Sequence, residues 1–223
     1  MKRIPEEELM SDIEQARAYA AADFEEPHSH VIRLFQQSFG TQLPGRSVLD
    51  LGCGTGDITF RFARAYPDCI VHGVDGSEAM LSLARKALAQ APDMRGRILF
   101  VKGMLPEIEL PLPQYDTVIS NSLLHHLPDP QALWETIKCF AGPGAPVFIM
   151  DLKRPENISE AQRLTKTYAA GEPEILQRDF YNSLCAAFEP GEIEEQLRAA
   201  GLEHFTITSV SDRHVLITGR MRP

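Results

Sequence analysis

A chain of 223 residues that is 43% hydrophobic can fill one core, and its 31 acidic against 22 basic side chains leave a formal charge of −9. That balance repels phosphate backbones and anionic lipid, so nucleic acid is not the expected partner. The opening stretch MKRIPEEELMSDIEQ lacks a signal-peptide core, and no window reaches the roughly 18 apolar residues that span a bilayer; the expected location is cytoplasmic.

Residues 1–45 read as an N-terminal helical cap, with an acidic helical segment in EEELMSDIEQARAYAAADF and a second helix from Pro27 to Phe39. The first 15 residues read as a solvated face. From Ser47 the chain alternates β-rich runs with helical patterns: SVLDLGC then Asp57 to Tyr66, IVHGVD then Ser77 to Ala89, ILFVKG, YDTVISN then Pro130 to Phe140, and APVFIMDL. Such alternation predicts parallel strands joined by right-handed crossovers. Residues 154–190 interrupt it as a polar, irregular insertion broken by Pro155, Gly171, Pro173 and Pro190. A helix from Glu192 to Ala200 stops at Gly201, and HFTITSV and RHVLITG then flank Ser211 and Asp212 as a hairpin. The expected fold is a doubly wound, Rossmann-like α/β sheet of seven strands, mostly parallel with an antiparallel terminal hairpin, in a domain covering residues 46–223. An exposed hairpin edge permits a homo-oligomer without requiring one.

Cys53, Cys69, Cys139 and Cys185 are widely spaced and form no C-x-x-C pair. They read as buried small hydrophobes, and neither a metal site nor a disulfide framework is expected.

The glycine-rich stretch VLDLGCGTGDITFRFA narrows the function. A strand ending in glycines before a helix lets backbone N–H groups approach a ligand. The spacing is Asp50-x-Gly52-x-Gly54-x-Gly56, with Asp57 where the third glycine of a dinucleotide fingerprint would stand. Asp50 would repel a pyrophosphate but suits an ammonium group. Asp75, at the end of the second strand, can accept from both hydroxyls of a ribose. These residues point to a ligand with a ribose and an amine, and no phosphate.

Four segments in order, VLDLGCGTGDIT, VHGVDGSEAMLSLA, YDTVISNSLLHHLPDP and FAGPGAPVFIMD, make the chain resemble the class I S-adenosylmethionine-dependent methyltransferases of the small-molecule type, over residues 45–152. The resemblance implies S-adenosyl-L-methionine as cofactor, with Asp50, Gly52, Cys53, Gly54 and Gly56 around its methionine part and Asp75 on the ribose. It places Gly76, Ser77 and Met80 beside the adenine, and Asn121 and Leu123 near the transferable methyl. Many relatives carry an acidic residue after the third strand; here Gly103 and Met104 stand there instead, leaving a backbone carbonyl or ring packing to recognise adenine.

His125 and His126 are the titratable candidates for catalysis, although adjacent residues are expected to face different ways, and a structural or cofactor-positioning role is favoured for them. Acceptor-facing groups are expected from the cap, with Tyr19, Phe24, His28 and His30, and from the insertion, with Asp151, Arg154, Tyr168, Arg178, Asp179, Tyr181 and Asn182; His126 belongs with them. The leading function is methyl transfer to a small-molecule acceptor through oxygen, nitrogen, carbon or sulfur. A nicotinamide oxidoreductase lacks its required glycine after Gly56. A cofactor-binding regulatory module would bind without turnover, and non-methyl sulfonium chemistry, such as carboxyl transfer, would want an arginine such as Arg154 or Arg178 to hold an anion.

Overall fold

The computed structural model describes residues 1–6, 9–22 and 25–223. Seven strands form one sheet: β1 (Ser47–Leu51), β2 (Ile70–Asp75), β3 (Ile98–Lys102), β4 (Thr117–Asn121), β5 (Pro146–Leu152), β6 (Thr206–Ser209) and β7 (His214–Arg220), in the order β3-β2-β1-β4-β5-β7-β6. The first five are parallel, and β7 lies antiparallel between β5 and β6. Because β1 pairs with β2 on one side and β4 on the other, the crossovers reverse direction there and open a crevice at the carboxyl ends of those strands.

The helices are α1 (Ile13–Ala21), α2 (Glu25–Phe39), α3 (Asp57–Ala65), α4 (Glu78–Ala89), α5 (Gln131–Phe140), α6 (Ile158–Tyr168), α7 (Glu174–Ala186) and α8 (Pro190–Ala200). They cover both faces of the sheet, which is why β5 is buried along its whole length and is apolar except for Asp151. Alternate residues feed the two layers. Leu49, Val147 and Ile149 pack with Trp134 and Ile137 of α5, whereas Val48 and Phe148 pack with Phe35 and Phe62 of α2 and α3. Phe148 and Phe35 are almost wholly removed from water, worth about 1.5–3 kcal/mol each for a side chain of this class. Among the described residues no helix is long and apolar enough to cross a membrane.

Three expectations change. Residues 154–190 are not irregular: they hold α6 and α7, with Pro155, Gly171 and Pro173 outside both helices, and Asn157 accepting from Glu160 N to cap α6. Pro190 does not break a helix but starts α8, two residues before Glu192, because its missing N–H is no loss at a first position; a capping box from Glu189 and Glu192 supports it. Cys139 is exposed, whereas Cys53, Cys69 and Cys185 are buried; all four are free thiols.

Candidate active site

The glycine loop is fixed by its own backbone. Gly52 N and Cys53 N both donate to Val74 O at 2.9 Å, tying the end of β1 to β2. Gly52, Gly54 and Gly56 all sit at positive φ, a region open to glycine at little penalty. A Cβ on Gly52 would strike Leu123 and one on Gly56 would strike Phe100, so these two are held by packing as well. Gly54 lines the cavity and a Cβ there would meet no protein atom. Gly56 is not among the lining residues; it turns the chain into α3.

Asp75 joins the loop to the next helix. Its Oδ2 accepts from Gly54 N and its Oδ1 from Ser77 N, both at 2.8 Å. Burial pushes its carboxyl up, and the two N–H groups partly offset that. Ser77 caps α4 by accepting from Met80 N at 3.2 Å, while its hydroxyl donates to Met10 O at 2.6 Å. Asp50 is buried beneath the loop and accepts from the Thr59 hydroxyl at 2.6 Å. Burial, with a smaller contribution from Asp75, pushes its carboxyl up to about 7 against the Thr59 bond.

These groups floor a cavity of about 330 Å³. Asp50, Gly52, Cys53, Gly54, Asp75, Gly76, Ser77, Met80, Gly103, Met104, Asn121 and Leu123 all line it. Ser122, between the last two, has φ 57, a left-handed conformation for a residue with a side chain, at the turn that swings the chain out of β4. Leu9 and Met104 close over Gly76, where a Cβ would overlap both side chains.

Leu124, His125 and His126 form a 3-10 turn beyond β4. His125 Nδ1 lies 2.5 Å from Asp151 Oδ1, and the Asp151 carboxylate also accepts from Leu124 N and Leu152 N at 2.7 Å each. Burial disfavours charge on both partners, but their mutual attraction prevails: His125 is raised and Asp151 lowered. The two histidine rings do not diverge as expected of neighbours. Their centroids are 4.2 Å apart, and Nε2 of His125 and Nδ1 of His126 converge on Glu6 Oε1 at 3.5 and 3.4 Å. Different nitrogens of adjacent rings can meet one atom when a tight turn brings the rings together.

Glu6 reaches this place because the first residues, although Lys2, Ile4 and Pro5 are exposed, are tied down rather than wholly a solvated face. Arg3 donates to Ala186 O at 2.6 Å, His125 O at 2.9 Å and Leu127 O at 3.3 Å, and its guanidinium lies 4.0 Å above the Phe188 ring. Ile4 N donates to Cys185 O at 3.0 Å, and Leu9 and Met10 line the cavity. The sequence reading missed these residues, whose signal is tertiary: three donors of one arginine satisfying carbonyls more than a hundred residues away.

The opposite wall comes from α6, α7 and the start of β7. On α7, Leu176, Asp179, Phe180 and Ser183 face the cavity at helical spacing. The same spacing turns Arg178, Tyr181 and Asn182 away, and none of the three lines it. Arg154 is absent from the lining as well, because its guanidinium is held by Glu189 and Glu192 at 2.9 and 2.8 Å and donates to Ala187 O. Tyr168 does line the cavity; its hydroxyl donates to Asp212 Oδ2 at 2.9 Å and its ring stacks on Arg213 at 3.3 Å. Tyr19 and His28 line it too, with burial pushing the Tyr19 phenol up to about 12 and His28 Nδ1 2.7 Å from Asp57. His30 is not among the lining residues, and Phe24 lies outside the described residues. Arg213 and His214 were also missed. The topology could have found them, since an antiparallel β7 begins beside the carboxyl end of β5, where Leu152 pairs with His214. Burial, with the nearby Arg213 charge, pushes the His214 imidazole down to about 4.

Residues 48–144 match a family model described as a methyltransferase domain. A trans-aconitate 2-methyltransferase of Variovorax paradoxus is 33% identical over 127 residues, which is 56% of this chain and 45% of that protein. The chain spans about half the length of the first curated relatives it matches, 45% and 48% of two such enzymes. Among solved structures, a SAM-dependent methyltransferase from Aquifex aeolicus superposes with a TM-score of 0.67 at 18% identity, covering 93% of this chain and 98% of that one. The plantazolicin methyltransferase BpumL, solved with a triazolic desmethylPZN analog and SAH, gives 0.70 at 14% identity, covering 95% of this chain and 90% of that one.

Proposed function

Because residues 48–144 match a methyltransferase-domain model and the fold is shared with a SAM-dependent methyltransferase, we propose that the chain is a class I S-adenosylmethionine-dependent methyltransferase that methylates a small-molecule acceptor and releases S-adenosylhomocysteine. The observation that carries this reading is Asp75: one carboxylate holds the Gly54 and Ser77 N–H groups and still faces the cavity. An ionised carboxylate has about four lone-pair sites, so two backbone bonds leave capacity for the two ribose hydroxyls.

The other residues fit the cofactor's chemistry. Asp50 suits its ammonium group, and the glycine loop, with Cys53 in it, allows close approach by the methionine part. Met80, Met104 and Gly103 supply apolar surface and a carbonyl for the adenine, with Gly76 and Ser77 at its edge. Asn121 and Leu123 face the reacting end. When bound, the cofactor supplies a methyl group on a cationic sulfur that an acceptor lone pair can displace in line.

This chain's share of the work is then alignment and exclusion of water. Leu9, Met10 and Tyr19 cover one side, and Leu176, Phe180 and Tyr168 supply the acceptor's apolar wall. His125, held by Asp151, is a positioning residue, and His126 is the polar group beside the acceptor. In this reading residues 1–45 are a cap and 154–190 a cover on a domain of residues 46–223. Support for a small acceptor comes from the volume of the cavity, about 330 Å³, and from a relative named for a small organic acid. Arg154 and Arg178 both lie outside the cavity, so neither is the anion-holding arginine that non-methyl sulfonium chemistry would want; Arg213, which does line it, stacks on Tyr168 and pairs with Asp212.

Calorimetric titration with S-adenosylmethionine, S-adenosylhomocysteine and NAD tests the reading. The expected result is binding of the first two with dissociation constants on the order of micromolar and no binding of NAD. Release of S-adenosylhomocysteine with a panel of small acceptors then separates an enzyme from a binding module. A folded protein that binds neither sulfur ligand would overturn the proposal.

A further inference from the structure

We propose that Glu6, His125 and His126 form a site for a divalent transition-metal ion of the zinc class at the acceptor end of the cavity, with one coordination position open to it. The donors are Glu6 Oε1, His125 Nε2 and His126 Nδ1, all within 4.8 Å of one another.

The spacing is the first argument. Glu6 Oε1 is 3.5 Å from His125 Nε2 and 3.4 Å from His126 Nδ1. Direct charge-assisted hydrogen bonds between such groups are shorter, about 2.7–2.9 Å. Around a tetrahedral ion with bonds of about 2.0–2.1 Å, neighbouring ligand atoms stand about 3.3–3.4 Å apart. The two separations from Glu6 match the edges of such a polyhedron, and the two imidazole nitrogens lie within 4.8 Å of each other.

The second argument is an orphan. Glu6 Oε1 is buried and has no hydrogen-bond partner. A buried carboxylate oxygen without a partner is strongly disfavoured, and a cation between it and the two imidazoles resolves it.

The third is the preparation of His125. Its Nδ1 faces Asp151, whose carboxylate is fixed by the N–H groups of Leu124 and Leu152. With the proton on Nδ1, the Nε2 lone pair is directed at the converging donors. A carboxylate behind the distal nitrogen is the arrangement that orients metal-bound histidines.

Two imidazoles and one carboxylate suit zinc, iron(II), cobalt or nickel better than magnesium or calcium. Three protein donors leave a fourth position for water or for an anionic oxygen or sulfur of a second molecule. His125 and His126 both line the cavity, so that molecule would enter from the acceptor side. The absence of cysteine clusters says nothing against this site, since no donor in it is sulfur. The assignment rests on these donors alone and is independent of the cofactor reading.

Chelator-treated protein titrated with cobalt(II), without any sulfonium ligand, tests it through the visible absorption of tetrahedral cobalt, followed by displacement with zinc. The expected result is one equivalent bound in the wild type. Glu6→Ala and His126→Ala should each weaken binding at least tenfold, while His204→Gln, remote in the fold, should not. Circular dichroism checks that the variants fold, and either variant alone suffices if the other does not. Folded wild-type protein that takes up no cobalt or zinc above a buffer blank would overturn the site, as would unchanged affinity in a folded Glu6→Ala or His126→Ala. Because no sulfur ligand is present, such failure leaves the cofactor reading intact.

Discussion

The two halves of the cavity are built in opposite ways. The half over β1, β2 and β4 is made by backbone held locally: Gly54 reaches Asp75 across 21 residues and Thr59 reaches Asp50 across 9. The half walled by residues 1–6, Leu9, Met10, α1, α7 and β7 is made by side chains from distant segments: Arg3 reaches His125 across 122 residues and Gln15 reaches Asp179 across 164. A site that depends on nearby backbone can be read from spacing. One that depends on remote side chains is visible only after folding.

The largest effect expected is on the local half. Asp75→Ala removes the group that holds the loop and, in the proposed reading, the ribose, so affinity for S-adenosylmethionine should fall at least about 30-fold, roughly 2 kcal/mol. Hydrogen exchange at Ile4 should stay unchanged, because that end is anchored elsewhere. Loosening at both ends would erase the distinction.

Asp50 gives a pH test of the same half. Its carboxyl titrates at about 7 in the fold but near 3.9 in an unfolded chain. Stability is therefore fully present below the unfolded value and is lost as pH rises through the folded one. Asp50→Asn keeps an acceptor for Thr59 and should flatten that decline, gaining roughly 1–3 kcal/mol at about pH 8 in ligand-free urea unfolding. The same change should weaken cofactor binding, since in the proposed reading the ammonium loses its counter-charge. Parallel pH profiles for wild type and variant would show that the carboxylate is tolerated without penalty.

In the remote half, Arg3→Ala leaves three carbonyls without their donor and should cost about 1–2 kcal/mol. Exchange at Ile4 should quicken and the KM for an acceptor should rise, with cofactor affinity changed little. The smallest effect belongs to Arg178→Ala and Asn182→Ala, both exposed and turned from the cavity. Each should shift stability by no more than about 0.5 kcal/mol and leave acceptor KM alone; a clear rise in KM would mean that α7 presents another face to the acceptor.

The alternation of strands and helices, the terminal hairpin and the glycine turn after β1, with Asp75 at the end of β2, were legible because each obeys a local rule of period or backbone geometry. The insertion was misread because proline and glycine were taken as interruptions, when they stand at the ends of helices. Arg154 resembled an anion-holding group, and nothing local showed that Glu189 and Glu192 would claim it. Tyr181 and Asn182 share a polar, aromatic stretch with residues that do line the cavity; only the helical phase separates them. Glu6 sat in an acidic run that resembles any solvated segment, and its partners are two histidines recognised for another reason.

Arg3 also bears on the order in which this molecule is assembled. During synthesis its acceptors at His125, Leu127 and Ala186 do not exist until most of the chain has emerged. Closing so long a loop is entropically slow compared with zipping neighbouring strands. The end of the cavity built on Asp50 and Asp75 should therefore mature first, and the end beside His125 should be completed only when Arg3 docks.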